Sequence, residues 1–250
     1  MVYYTRIEME VFMFNRRLVD TFAYERANNI RSGVYGLTQR EFAFNSNKIE
    51  GSRLTKEHTS SLFNTGSIYV EGEFRAKDVE EATGHFAMFN VMLDTLNLVL
   101  SEDLIKLFHK SLKQGVFEDI ANGYAIGDYK TRRNFVGDIE TALPAEVPER
   151  MAKLLSQYWV CEKSLENLAR FHAEYERIHP FQDGNGRTGR MILFRECLVN
   201  GIAPFIVRDV NKARYINALI KAQNGDTSSL VGYFKEEQSW YVDRIEGSLL

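Results

Sequence analysis

His179-Pro-Phe-Gln-Asp-Gly-Asn-Gly-Arg-Thr-Gly-Arg190 places an imidazole, a carboxylate, a glycine-rich turn and two guanidiniums within one short segment. Gly184 and Gly186 flank Asn185, which leaves the backbone free to turn its N–H groups towards a single point. Helical spacing resumes immediately afterwards, and the first N–H groups of a helix lack internal partners and sit at its positive end. Arg187 and Arg190 lie three residues apart on that first turn, so both side chains can reach one anion. Two arginines over a nest of N–H groups suit a polyphosphate better than a single carboxylate. Asp183, at the rim, suits Mg²⁺, which commonly takes one or two carboxylates together with phosphate oxygens. His179 precedes the nest; with an ordinary pKa of ~6.5 it is expected to be largely neutral at pH 7 and ready to accept a hydroxyl proton. Such a base contributes ~10²–10⁴-fold in rate.

Other chemistries fit the segment less well. Asn185-Gly186 is a strong hairpin signal, but both flanks carry helical rather than alternating spacing. Asp183-Gly-Asn185 is like the start of a calcium loop, yet Arg187 stands where an acceptor or turn glycine belongs and no Glu closes the loop. The Gly-Lys-Ser/Thr ending of a nucleotide-binding P-loop is missing. Zinc finds no Cys or His partners at metal-site spacing.

The elements that position this segment read mainly as helices. Periodicity predicts helices over residues 8–30, 38–50 (ending at Gly51), 78–99 and 102–114, with Thr55 capping another and Glu57 near its positive end. Residues 64–73 read as a loop or short hairpin. From Gly115 to Pro148 the periodicity fails, and Asn134–Gly137 with Ile139–Leu143 suggests a small β-hairpin. Helices return over 149–160 and 163–177, then over 187–200, which is apolar through a wide arc and so should lie centrally. Two or three more finish the chain. The expected fold is all-α with one small β element.

The chain has 250 residues, 44% of them hydrophobic and 26% charged, which describes an ordinary globular protein. A net charge of -3 supplies no general field for nucleic acid or an anionic membrane, and neither is expected as a partner. The greasiest stretch, Phe86 to Leu100, is broken by Asn90, Asp94 and Asn97, so it should not span a bilayer. Two cysteines are too few for a disulfide framework, and the first residues lack a signal-peptide pattern; a reducing cytoplasm is the expected location.

The twelve-residue segment resembles the signature of the Fic family (filamentation induced by cAMP), His-x-Phe-x-Asp/Glu-Gly-Asn-Gly-Arg-x-x-Arg, at every specified position. The likeness extends over about residues 38–225, which implies an N-terminal helical extension (1–37), a Fic core (38–225) and a C-terminal helical tail (226–250). It implies that His179 is the base, that Phe181 anchors the loop in the core and that Asp183 binds Mg²⁺. Gly184, Asn185 and Gly186 would form the anion hole for the α- and β-phosphates of ATP, with Arg187 and Arg190 holding the phosphate tail. A target's Ser, Thr or Tyr hydroxyl would attack the α-phosphorus and release pyrophosphate. Ser46-Asn-Lys-Ile-Glu50-Gly51 resembles the family's inhibitory motif, in which Glu50 would pair with Arg190 and displace the γ-phosphate; Ser46 and Glu50 share a helical face.

Residues 127–148 fall where the family carries a flap that docks an extended segment of a protein target. Lys130, Arg132 and Arg133 read there as charges protecting a solvated hairpin edge. The family often has Tyr-Arg where Tyr129-Lys130 stands. Tyr215 is expected near the adenine pocket, His172 in the core, and His58, His85 and His109 receive no role. The leading expectation is an autoinhibited protein AMP-transferase, with self-modification and homo-oligomers as further expectations. The alternatives are a de-AMPylating Fic hydrolase that uses Glu50, a Fic enzyme with another nucleotide donor, and a non-enzymatic nucleotide-sensing module.

Overall fold

The computed structural model describes residues 6–69, 71–137 and 139–249. Its α-helices are α1 (Arg6–Ala27), α2 (Val34–Ile49), α3 (Lys56–Thr65), α4 (Ala76–Asp94), α5 (Glu102–Lys113) and α6 (Phe117–Ala121), then α7 (Val147–Val160), α8 (Leu165–Ile178), α9 (Asn185–Val199), α10 (Lys212–Gln223) and α11 (Ser228–Ile245). Between α6 and α7 runs an antiparallel hairpin, β1 (Phe135–Val136) and β2 (Ile139–Glu140), with Phe135 opposite Glu140 and Val136 opposite Ile139. The expected class, helical with one small hairpin, is the observed one. No helix among the described residues is long and apolar enough to cross a membrane.

Helix α9 is the axis of the molecule: every residue from Asn185 to Leu198 is buried, as its wide apolar arc demands. It packs against α1, α2, α4, α5 and α8, while α7, α10 and α11 cover α8. Phe22, Phe42, Phe89 and Phe194 interlock in tilted and edge-on pairs where α1, α2, α4 and α9 meet. Such geometry adds to the burial energy of the rings. Local caps set several starts: Thr55, Ser101 and Ser164 each accept a hydrogen bond from the third residue on.

Two helix boundaries differ from the sequence-based expectation, each through a distant partner. Helix α2 begins at Val34, well before residue 38, because the Glu25 carboxylate of α1 accepts from the Tyr35 N–H at 2.7 Å and serves as the cap. Helix α4 stops at Asp94, short of residue 99, where buried Arg195 donates to the carbonyls of Thr95, Leu96 and Leu98 and so draws them out of the helical ladder. The irregular stretch after Gly115 holds the short α6, and the hairpin is briefer than expected. No strand pairs within 64–73 among its described residues, so that stretch is a loop, turning at Gly66 with φ +73°.

Candidate active site

Helix α8 ends at Ile178 because Pro180 disfavours the helical conformation in the residue before it. His179 caps the helix in the left-handed region, φ +52°, and its own N–H bonds the Tyr175 carbonyl at 2.9 Å. Its Nδ1 lies 3.3 Å from the Glu176 carbonyl. A carbonyl only accepts, so Nδ1 carries the hydrogen and Nε2 holds the free lone pair. Burial drives the ring's pKa down to about 4, with Lys130 adding to the effect against the Glu176 carbonyl. The expectation of an ordinary imidazole is thereby corrected: His179 is neutral over a far wider pH range because its surroundings disfavour charge.

The next residues are pinned from beneath. Phe181 is fully buried and stacks on His109 at 3.9 Å between ring centres, the planes 4° apart. The Asn185 side chain turns inward, accepting from Phe181 N–H and donating to Phe181 O, each at 2.8 Å. One amide hydrogen and one oxygen lone pair of Asn185 are thereby committed to holding the loop. Gly184 opens α9 at φ +84°, a conformation that favours glycine.

Both arginines of the first turn are buried and already paired. Arg187 contacts Glu81 at 2.5 Å, Asp183 at 3.3 Å and Asn47 at 3.3 Å. Arg190 donates to Glu50 at 2.7 Å, to the Ser46 hydroxyl at 2.9 Å and to the Ser46 carbonyl at 3.0 Å. Arg187 is thus held mainly by Glu81 and Asp183, Arg190 by Glu50 and Ser46, and both guanidiniums act on the Glu50 carboxylate. The Glu50 carboxylate also covers Gly186: a Cβ there would stand 2.3 Å from Glu50 Oε1. Burial opposes the charge on Glu50, but Arg190 and Arg187 outweigh it and hold the carboxyl below its ordinary range.

Asp183 is braced on both oxygens. Oδ1 accepts from the Gly184 N–H at 2.7 Å and faces Arg187; Oδ2 accepts from Lys113 at 2.8 Å and lies 3.5 Å from Lys77. Burial would raise its pKa, but Arg187, Lys113 and Lys77 hold it well below the carboxylate range.

Residues 99–196 match the Fic/DOC family. The chain carries a Fic domain. A probable protein adenylyltransferase of Aquifex aeolicus is 32% identical over 188 residues, covering 69% of this chain and 56% of that protein. Protein adenylyltransferase fic-1 of Caenorhabditis briggsae is 23% identical over 217 residues, covering 83% of this chain and 41% of the relative. The chain thus spans about half the length, or less, of these curated relatives. A Fic domain containing signaling protein from Bacteroides thetaiotaomicron has the same fold, with a TM-score of 0.70 at 21% identity over 93% of this chain and 94% of that one. Ser46 and Glu50 lie outside the matched residues.

Several residues around the Fic loop were given no role, or a different one, from the sequence. Lys113 is buried and touches Glu81 at 2.5 Å, Asp119 at 2.6 Å and Asp183 at 2.8 Å. His109, to which no role was given, accepts from the Gly127 N–H at Nδ1 (3.0 Å) and donates from Nε2 to the Asp183 carbonyl (3.0 Å). It joins the loop before the hairpin to the Fic loop. The i, i+4 spacing of His109 and Lys113 on one helix face was the available clue. Lys130 is buried, not a solvated edge charge: its ammonium donates to Asn134 Oδ1 and Thr141 Oγ1, each at 2.6 Å. Arg132 and Arg133 are exposed. Tyr215, expected beside adenine, is buried with its hydroxyl 2.6 Å from His172 Nε2, so it lines no open surface and His172 is the core residue expected.

Proposed function

We propose that this chain is an autoinhibited protein AMP-transferase that moves AMP from ATP to a Ser, Thr or Tyr hydroxyl of a target. What carries the reading is one arrangement: the neutral His179 base, the Asp183 carboxylate and two guanidiniums gather around the first turn of α9, with Glu50 lying over Gly186. The names of the relatives support the class of reaction. His179 Nε2 takes the proton of the incoming hydroxyl as its oxygen bonds the α-phosphorus and pyrophosphate departs. The free N–H groups of Gly186 and its neighbours suit the phosphate oxygens.

Asp183 suits Mg²⁺ through its permanent charge and partial exposure. Its oxygens are already occupied, so a metal ion there requires Lys77, at 3.5 Å, to withdraw; Glu118 at 3.2 Å and Asp119 at 3.6 Å are placed to receive it. When bound, the ion would neutralise charge on the leaving phosphates. The exposed Phe135 and Val136 on β1 suit a target segment added as a strand, with the hairpin as the dock.

Glu50 is the brake in this reading. Its carboxylate takes both the Arg190 guanidinium and the space over Gly186, so the triphosphate tail of ATP cannot settle there. Glu50→Gly should raise AMP transfer by about 10²-fold, the effect of realigning reacting atoms by roughly 1 Å. Arg190→Ala should be inactive with or without that change. Labelled-ATP transfer assays check both. Unchanged transfer in Glu50→Gly, together with lost removal of AMP from a modified target, would make Glu50 a water-orienting residue and the chain a de-AMPylating enzyme.

A further inference from the structure

The side chain of Glu176 is nine-tenths buried, and the catalytic scheme above does not use it. It lies between two imidazoles: Oε2 is 3.8 Å from His179 Nδ1 and Oε1 is 4.0 Å from His172 Nε2. Oε1 has no hydrogen-bond partner. A carboxyl reaches this position only because Gly189 faces it, since a Cβ at 189 would stand 2.6 Å from Oε1. Gly189 falls at an unspecified position of the twelve-residue signature. The backbone carbonyl of Glu176 also holds His179 in its Nδ1–H form.

We propose that Glu176 is the positioning residue for the His179 base: its carbonyl orients the ring, and its carboxyl, lodged in the niche opposite Gly189, sets how readily Nε2 takes a proton. The proposal rests on His179 being the base of the transfer reaction. Burial raises the Glu176 carboxyl to about 8, with Arg190 opposing the rise and Glu50 adding to it. Near neutral pH the group is therefore a neutral acid, and ionising it places a negative charge beside the imidazole, which strengthens the base.

The other groups facing the pair are few. His172 is pushed down to about 3 by burial and stays neutral. Tyr215 and Tyr175 are raised by burial and stay protonated. Arg190 comes from α9, Glu50 from α2, Lys130 from the chain before β1 and Asp183 from the Fic loop. Arg190 is raised, and Glu50 and Asp183 are lowered, by the ion pairs they make, so none of these three changes charge between pH 7 and 9.

The test is ¹⁵N-histidine NMR of the whole chain without nucleotide from pH 4 to 9.5, which reads His179 independently of any activity. In the wild type the His179 ring should show the Nδ1–H form and a second inflection near pH 8 as Glu176 ionises. Glu176→Gln, which keeps size and the neutral form, should fold normally, keep the low-pH inflection and lose the upper one; Glu176→Asp should retain it at smaller amplitude. AMP-transfer rates should rise across the same interval in the wild type and stay flat in Glu176→Gln. An upper His179 inflection that persists in Glu176→Gln, or none in the wild type, overturns the proposal. Should AMP transfer fail altogether while the upper inflection depends on Glu176, the reaction assignment falls and the coupling of the two groups stands.

Discussion

His179 pairs a strained backbone with a neutral ring, and the two can be separated experimentally. At φ +52° a side chain costs ~1–2 kcal/mol relative to glycine. His179→Ala and His179→Gly should both lose transfer by at least the ~10²–10⁴-fold that a base supplies, while binding ATP nearly as well. His179→Gly should be the more stable of the two by about 1 kcal/mol in urea titrations. Equal stabilities would remove the strain argument; residual wild-type transfer would remove the base. Asp183 poses a second question at this scale. Asp183→Ala should leave transfer very low and flat in a Mg²⁺ titration, because the metal's ligand is gone. Lys113 keeps Glu81 and Asp119 as partners, so the fold should persist. A Mg²⁺ curve matching the wild type would show that the ion binds elsewhere.

Among the elements, the hairpin depends most on a single interior group. Lys130 reaches Asn134, Thr141 and the Ile178 carbonyl. Its N–H donates to Pro180 O at 2.9 Å, and Asn134 Nδ2 donates to Phe181 O at 2.8 Å. The base of the hairpin is thereby tied to the residues on either side of His179. Lys130→Met should speed amide exchange across 134–141 by about tenfold or more, as the loss of charge-assisted hydrogen bonds implies. It should also lower transfer to a protein target with ATP affinity little changed. Exchange as slow as in the wild type would mean that strand pairing alone holds the hairpin. This attachment could not be anticipated from the local chain, where three basic residues close together read as solvated charge; the acceptors that bury Lys130 lie up to 48 positions away.

For the whole molecule, the buried imidazoles set the response to acid. Burial holds His85, His109 and His172 down at about 3 and His179 at about 4. In the unfolded chain these rings take up protons at ~6.5, so below that pH the unfolded state binds more protons and stability falls, by about 1.4 kcal/mol per pH unit for each ring. Glu176 acts with the opposite sign. Raised to about 8, it keeps a proton that the unfolded chain loses above ~4.3, so it lowers stability as pH rises towards 8. Four rings outweigh one carboxyl, which places the stability maximum at pH ~7, with a steep decline below it and a shallow one above. Thermal melts at pH 8, 6.5 and 5 check this; a Tm at pH 5 equal to that at 6.5 would contradict the neutral, buried histidines.

The Fic loop was legible in the amino-acid order because its chemistry is local: base, turn glycines, carboxylate and arginines are consecutive, and a helix start presents its own N–H groups. The same holds for the cap at Thr55 and for the central placement of α9, where spacing alone reports burial. The inhibitory segment was legible only as a pattern; that the Glu50 carboxylate meets Arg190 at 2.7 Å depends on α2 packing against α9 across 140 positions of chain. Tertiary structure alone decided what each charged group faces. It buried Arg187 against Glu81, placed Lys113 among three carboxylates, gave α2 a cap from Glu25 and lodged Glu176 opposite Gly189. It also lowered His179 from an ordinary imidazole to about 4. Local propensity and spacing are properties of neighbours in the chain, whereas desolvation and charge pairing are properties of neighbours in space, and only the folded packing specifies those.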